Sequence, residues 1–235
     1  MTDVKPPVPR RERLRAATQD ELVAAARELL VAGGVDAVTL RSIAGQLGMT
    51  APAIYRYFDS REALLNTLVD SLYDELADYL LTVRDAAQSL TDRFVLTSRA
   101  FREWALAHRA EFGLLFGAPV PGVGHAATEG GKDTDRGMRF ARVWLDLFIE
   151  LAESNNRPMT WRRPISAALN SQITDYVNSI GGVVSVEVAL LYLSCWERLY
   201  GAVCTETFGH LAFAVDDGAE LFEDQLLDVA ERLGL

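Results

Sequence analysis

"LRSIAGQLGMTAPAIYRYFDSREALL", residues Leu40 to Leu65, decides how the first part of the chain folds. Thr39 stands before a short helical run whose inward positions are Leu40, Ile43, Ala44 and Leu47, and its hydroxyl suits an N-cap. Gly48 ends that run, as glycine closes a helix C-terminus in a left-handed conformation at least cost. Thr50 caps a third helix, with Pro52 in the first turn, where a missing N–H loses no helical bond. Within it Ile54 and Phe58 are spaced i, i+4 and face inward, which turns Ala51, Pro52, Tyr55 and Arg56 outward with Tyr57 on the flank. One short helix has too little inward face for all four large residues from Ile54 to Phe58. Asp59-Ser60 interrupts this helix, and Ser60 opens a much longer fourth one with an apolar stripe from Leu65 through Leu68, Leu72 and Leu76 to Tyr79 and Val83.

Upstream, Thr18-Gln19-Asp20-Glu21 has the form of a capping box, and Leu22, Ala26, Leu29 and Leu30 recur at helical spacing until Gly33-Gly34. Three short helices with a tight turn between the second and third make a helix-turn-helix unit. In such a unit the third helix enters the DNA major groove. Small residues at 51 to 53 permit close approach, Arg56 can donate two hydrogen bonds to guanine, and Tyr57 can donate to a phosphate oxygen. Residues 1–17 read as a flexible arm, with prolines at 6, 7 and 9 followed by Arg10, Arg11, Arg13 and Arg15. This arm is either a solubilising tail or an element that tracks the phosphate backbone or a minor groove.

The 235-residue chain carries a net charge of −10, which disfavours a polyanionic partner for the molecule as a whole. The charge is uneven: up to Arg61 there are nine Lys/Arg against seven Asp/Glu, and the remainder is strongly acidic. The longest apolar stretch, Val188 to Trp196, falls far short of the roughly 18 residues that read as a membrane span. The N-terminus has no apolar signal region, and Cys195 and Cys204 lie in an apolar helical pattern, so a reducing cytoplasm is expected. Further helices are expected near 91–108, 109–116, 134–153, 161–180, 185–208 and 217–233, with no strand and no internal repeat. The expected fold is all-α: an arm at 1–17, a helix-turn-helix domain at 18–65, and a larger helical domain at 66–235 joined through the long fourth helix.

The string TLRSIAGQLGMTAPAIYRYFDSREALL closely resembles the DNA-binding domain of TetR/AcrR-type bacterial transcriptional regulators over about residues 18 to 68. The resemblance implies an all-α homodimer with two heads that sit in successive major grooves, about 34–36 Å apart, on a near-palindromic operator. Arg41, Ala51, Pro52, Ala53, Tyr55 and Arg56 would face bases, and Thr39, Thr50, Tyr57 and Arg61 would complete the DNA-facing set, largely toward phosphates. Asp59 stands where the family often has lysine, which removes one phosphate contact.

Aromatic residues concentrate beyond residue 91. Phe94, Phe101, Trp104 and His108 share one helical face, Phe140, Trp144 and Phe148 another, with Phe112, Phe116, Tyr176, Trp196 and Tyr200 added to them. A core does not require so many indoles and an imidazole, because each needs a polar partner when buried. A largely apolar effector pocket is therefore expected around Phe101, Trp104, His108, Phe140, Trp144, Asn170, Gln172, Ile173 and Tyr176. FREWALAHRAEFGLLFGAPVPG (101–122) also resembles the WHG-type ligand domain of actinobacterial TetR-type regulators, with Arg109 where proline is usual. That resemblance implies dimerisation through the last two helices, for which Leu221, Phe222, Leu226, Val229 and Leu233 form an apolar stripe. Arg162-Arg163 could meet an anionic group, although solvated arginines are commoner.

His108, His125 and His210 are far apart, and no H-E-x-x-H, C-x-x-C, G-x-S-x-G or P-loop pattern occurs, so neither an enzyme nor a metal or other cofactor is expected. The expected function is a ligand-responsive DNA-binding regulator, a repressor that leaves its operator when a small apolar effector binds. The competing reading gives the helical body to a protein partner. The two differ in whether a small apolar molecule changes DNA affinity.

Overall fold

A computed structural model describes residues 9–124, 135–154, 161 and 163–235, with only the backbone of 135–138. His125, Arg162 and the first eight residues lie outside it. The described residues form ten α-helices and a single 3-10 turn at Val35–Ala37. The helices are α1 (Arg10–Gly33), α2 (Leu40–Gln46), α3 (Ala51–Ile54), α4 (Arg61–Ala86), α5 (Leu90–Ala107), α6 (Arg109–Phe116), α7 (Asp135–Ser154), α8 (Ala167–Ser179), α9 (Val186–Thr207) and α10 (Ala219–Leu233). No helix among the described residues is long and apolar enough to cross a membrane.

Side-chain oxygens set several of the starts. Thr39, Ser89, Ser166 and Ser185 each accept the backbone N–H three residues on, at 3.0, 3.0, 3.2 and 3.3 Å, which satisfies donors that a helix leaves open. Pro164 explains why α8 begins at Ala167 and not near 161: the residue before a proline is pushed out of helical geometry, and Ser166 then caps a fresh start.

The N-terminal segment departs from the sequence expectation. α1 begins at Arg10, so residues 10–17 are helical and not a flexible arm. Thr18 is no cap; its hydroxyl donates back to the Leu14 carbonyl at 3.0 Å from inside the helix. The physical reason is propensity: RRERLRAA is composed of strong helix formers, and the Pro9 carbonyl already accepts from Glu12 and Arg13 at 3.0 and 3.1 Å.

The chain divides into two compact units, and the division runs through α4 between Tyr73 and Asp74. The first unit holds the chain up to Tyr73 and also Ala110–Gly137, a segment that the linear reading placed wholly in the second domain. Its core contains Leu22, Ile43, Ile54, Leu64, Leu65 and Leu68, all fully buried. Helix α6 belongs to this core. The Tyr73 hydroxyl donates to the Leu115 carbonyl at 3.3 Å, Tyr73 meets the Phe116 ring edge-on at 5.8 Å, and Arg27 pairs with the buried Glu111 at 3.0 Å. Asn66 holds the segment after α6 with both ends of its amide, donating to Gly122 at 3.2 Å and accepting from Gly124 at 2.9 Å.

The second unit packs α5, α9 and α10 around aromatic side chains. Two bidentate pairs tie it: Arg99 to Glu223 at 2.8 and 2.7 Å, and Arg102 to Glu206 at 2.7 and 2.5 Å. The α10 stripe assigned to dimerisation lies in this core. Phe222, Leu226, Val229 and Leu233 are buried within one chain, Leu226 with no exposed surface, whereas Leu221 remains 49% exposed. Periodicity marked the apolar face correctly but not what covers it, and a charge at Leu226 would test folding, not assembly.

Candidate nucleic-acid interface

Gly48 adopts φ +63° in the link from α2 to α3, and the next amide, Met49 N–H, reaches back to the Ala44 carbonyl at 2.9 Å. This is a helix-ending turn that only a residue without Cβ enters cheaply, and it sets the angle at which α3 leaves. The regular part of α3 is a single turn, Ala51–Ile54, followed by further turns in which Tyr57 and Phe58 N–H donate to the Ile54 carbonyl at 2.8 and 3.1 Å.

Ile54 and Phe58 are buried beneath this segment. Ala51, Pro52 and Arg56 are exposed, Tyr55 is 55% exposed, and Ala53 and Tyr57 are half-buried. Thr50 is exposed and its hydroxyl makes no capping hydrogen bond, and Arg41 is exposed on the preceding helix. An uncharged convex ridge of small side chains, flanked by one arginine and two phenols, can enter a groove about 12 Å wide and meet base edges at its floor.

Two members of the expected set have other duties. Thr39 is the N-cap of α2, and its hydroxyl also lies 2.7 Å from that of Ser42. Arg61, expected toward phosphate, is half-buried and donates through Nε to the Val38 carbonyl and through Nη2 to the Val35 carbonyl, both at 2.6 Å. It braces the turn between α1 and α2, where the Val35 carbonyl also accepts from Val38 N–H at 3.2 Å. Arg15, expected only as part of the arm, donates through Nη2 to the Arg56 carbonyl at 3.3 Å and so ties α1 to the end of the α3 segment.

In the second unit Phe101 is the hub of the aromatic cluster. Its ring centre lies 5.8 Å from Phe140, 6.1 Å from Trp144 and 5.8 Å from Trp196. Trp104 stacks on His108 at 4.8 Å, and His108 Nδ1 lies 3.0 Å from the Trp104 carbonyl. A cavity of about 10 Å³ remains beside Phe94, Phe101, Trp144, Phe148, Tyr192 and Trp196, room for roughly one water. Burial pushes the Cys195 thiol on its wall up to about 11, so it stays protonated and behaves as an apolar group. The indole N–H groups of Trp104 and Trp144 are buried without a hydrogen-bond acceptor among the described residues.

The rest of the expected pocket set lies elsewhere. Asn170 and Gln172 are exposed, and Ile173 and Tyr176 join Val177, Ala189 and Leu190 in a separate small cluster between α8 and α9. On α9, Tyr192 is outside the expected aromatic set although its signal is readable: Tyr192, Trp196 and Tyr200 repeat at i, i+4 and i+8, as Phe140, Trp144 and Phe148 do on α7. Arg109, the departure from the WHG-type pattern, donates to the Thr207 carbonyl at the end of α9 at 2.5 Å.

Known families match both parts of the chain. Residues 22–68 match the model for bacterial regulatory proteins of the tetR family, and residues 94–229, more than half the chain, match the tetracyclin repressor-like C-terminal domain. HTH-type transcriptional regulators of Mycobacterium tuberculosis and Mycobacterium bovis are 38% identical over 117 residues, 49% of this chain and 50% of each relative. The chain thus aligns with about half the length of those relatives. The tetracycline repressor protein class A from transposon 1721 of Escherichia coli is 33% identical over 88 residues, 37% of this chain and 40% of the repressor. Among solved structures, regulatory protein SCO4313 is similar over 94% of this chain and 98% of its own, with a TM-score of 0.71 and 27% identity. A TetR/AcrR-family regulator from Thermobifida fusca shares the fold at a TM-score of 0.53 and 17% identity, over 91% of this chain and 97% of its own. These relatives are regulators and not enzymes, and the aligned strings, the helix-turn-helix geometry and the helical second unit agree with them: the chain belongs to the tetR family of bacterial regulatory proteins.

Proposed function

We propose that the chain is a cytoplasmic, dimeric, DNA-binding transcriptional regulator that represses from a near-palindromic operator and is released by a small, largely apolar effector. The observation that carries the DNA reading is the sorting of the α3 segment, where Ile54 and Phe58 are buried and Ala51, Pro52, Tyr55 and Arg56 are exposed. Thr50, Ala53 and Tyr57 belong to the same stretch of chain and Arg41 is exposed on α2, while Arg61 and Thr39 hold the turn that leads into α2.

Selection of bound duplexes from a random pool, at about 150 mM salt to suppress non-specific phosphate binding, tests this reading. The expected product is an inverted repeat whose half-sites lie one helical turn apart. Failure to enrich any sequence would remove the reading. On the selected duplex, Arg56→Ala is expected to weaken binding by about 1–3 kcal/mol and to relax the preference at one base pair. Uniform weakening across all sequences would instead make Arg56 a phosphate contact.

For the effector, support comes from the Phe101 cluster and the two unpartnered indole N–H groups of Trp104 and Trp144. A ligand that parts these rings would be apolar and would carry a hydrogen-bond acceptor, such as a carbonyl. Helix α4 is continuous from Arg61 to Ala86 and belongs to both units, so it is one covalent route for coupling. A coupling of about 1–3 kcal/mol is enough to change occupancy strongly. For the dimer, Leu221 and Leu227 are the large apolar residues left exposed on α10, the latter at 57%. Leu227→Glu is expected to shift sedimentation toward the monomer with the unfolding of the second unit unchanged within about 0.5 kcal/mol. A persistent dimer would place the interface on another face.

A further inference from the structure

We propose that the first two turns of α1 and the α3 segment together form a second DNA-contacting element, a preformed cationic groove that takes the phosphate backbone of the duplex beside the bases read by α3. The inference rests on the DNA-binding reading above and extends it to residues outside the helix-turn-helix. Because α1 starts at Arg10, the arginines of this segment hold fixed positions. Arg11, Leu14, Arg15 and Thr18 follow one another at i, i+3, i+4 and i+7 and so share one helical face. With Arg10, Arg56 and Tyr57 they wall an open groove of about 630 Å³. None of the lining side chains is acidic. Glu12 and Arg13 fall off this face.

The groove is tied to the reading surface by a specific bond. Arg15, which lines the groove, donates one N–H to the Arg56 carbonyl at 3.3 Å, and its guanidinium carries further donors that an anionic strand can use. Leu14 is 59% exposed between the arginines and offers an apolar contact of the kind a deoxyribose face accepts. Arg10, Arg11, Arg15 and Arg56 all line this channel, and an anionic strand that pairs with such a cationic set releases its own counterions. The chain as a whole has a net charge of −10, so a concentrated positive face at the head is what a duplex requires of it.

The test measures binding of the full-length protein to its selected operator and to an unrelated duplex of equal length as salt is varied. Arg10→Gln with Arg11→Gln is expected to make the slope of log binding constant against log salt shallower by about 2, near 0.9 for each lost phosphate contact, on both duplexes. The operator preference should be unchanged. Arg13→Gln should leave the slope as in the wild type, and lysine at both 10 and 11 should restore it, which a merely structural loss would not allow. An unchanged slope in the double variant, an equal loss with Arg13→Gln, or no restoration by lysine would each overturn the groove. If the wild type enriches no operator, the regulator reading fails. The groove is then still judged on the unrelated duplex, where binding without salt dependence would overturn it as well.

Discussion

Replacing Phe101 by alanine is expected to destabilise the second unit by about 3–5 kcal/mol, the range for truncating a fully buried phenylalanine. Phe101 is 1% exposed and has Phe140, Trp144 and Trp196 around it, three large rings that cannot all move into the vacated space. The change can be followed without a label, because the tryptophans at 104, 144, 161 and 196 all belong to that unit. Urea unfolding monitored by tryptophan fluorescence should show the loss, and benzene should recover part of it by filling an apolar hole. A loss below about 1.5 kcal/mol would mean that the cluster collapses readily and does not act as a packed core. Recovery by benzene would show that the hole left by Phe101 stays open and takes up an apolar molecule.

The second large effect is expected in the first unit. Arg27→Ala should cost about 3 kcal/mol, because removing one partner of a buried pair strands the other charge. Glu111 is only 4% exposed and Arg27 reaches it at 3.0 Å, so the stranded group would be a carboxylate in the core beside Phe112 and Leu115. Water on the Arg27 side keeps the cost near the lower end of the range. Amide hydrogen exchange in α1 and α6 is the suitable readout, with about a hundredfold faster exchange expected from 1.4 kcal/mol per factor of ten. Arg27→Met combined with Glu111→Leu should restore most of the protection, since apolar replacement of both partners is often neutral. A double variant as weak as Arg27→Ala would show that the pair itself, and not the stranded charge, sets the stability.

Much of the head was legible because its signals are local. Thr39 as a cap, Gly48 as a stop, and the i, i+4 pair Ile54 and Phe58 each depend on neighbours within one turn, and the structure finds them as the spacing implies. The start of α1 was not legible, because a T-x-x-E string occurs inside helices as well as at their ends, and the preceding arginines propagate a helix as well as they solvate an arm. Arg61 shows a different limit: an arginine near a DNA-reading helix suggests phosphate, but two backbone carbonyls 23 and 26 residues away are satisfied by it. The burial pattern of α8 was not legible either: the helix's buried positions are Ile173 and Val177, while Asn170 and Gln172 are exposed. The return of α6 to the first unit has no sequence signal at all, since Arg27 and Glu111 are 84 residues apart.

The division of labour along the α3 segment separates two kinds of inheritance. Ile54 and Phe58 are buried and hold the segment in place, whereas Ala51, Pro52, Tyr55 and Arg56 lie on its exposed side. The outward four can therefore be exchanged as a cassette without renegotiating the scaffold, so that a duplicated copy of this head could drift to a new target while still folding as its parent does.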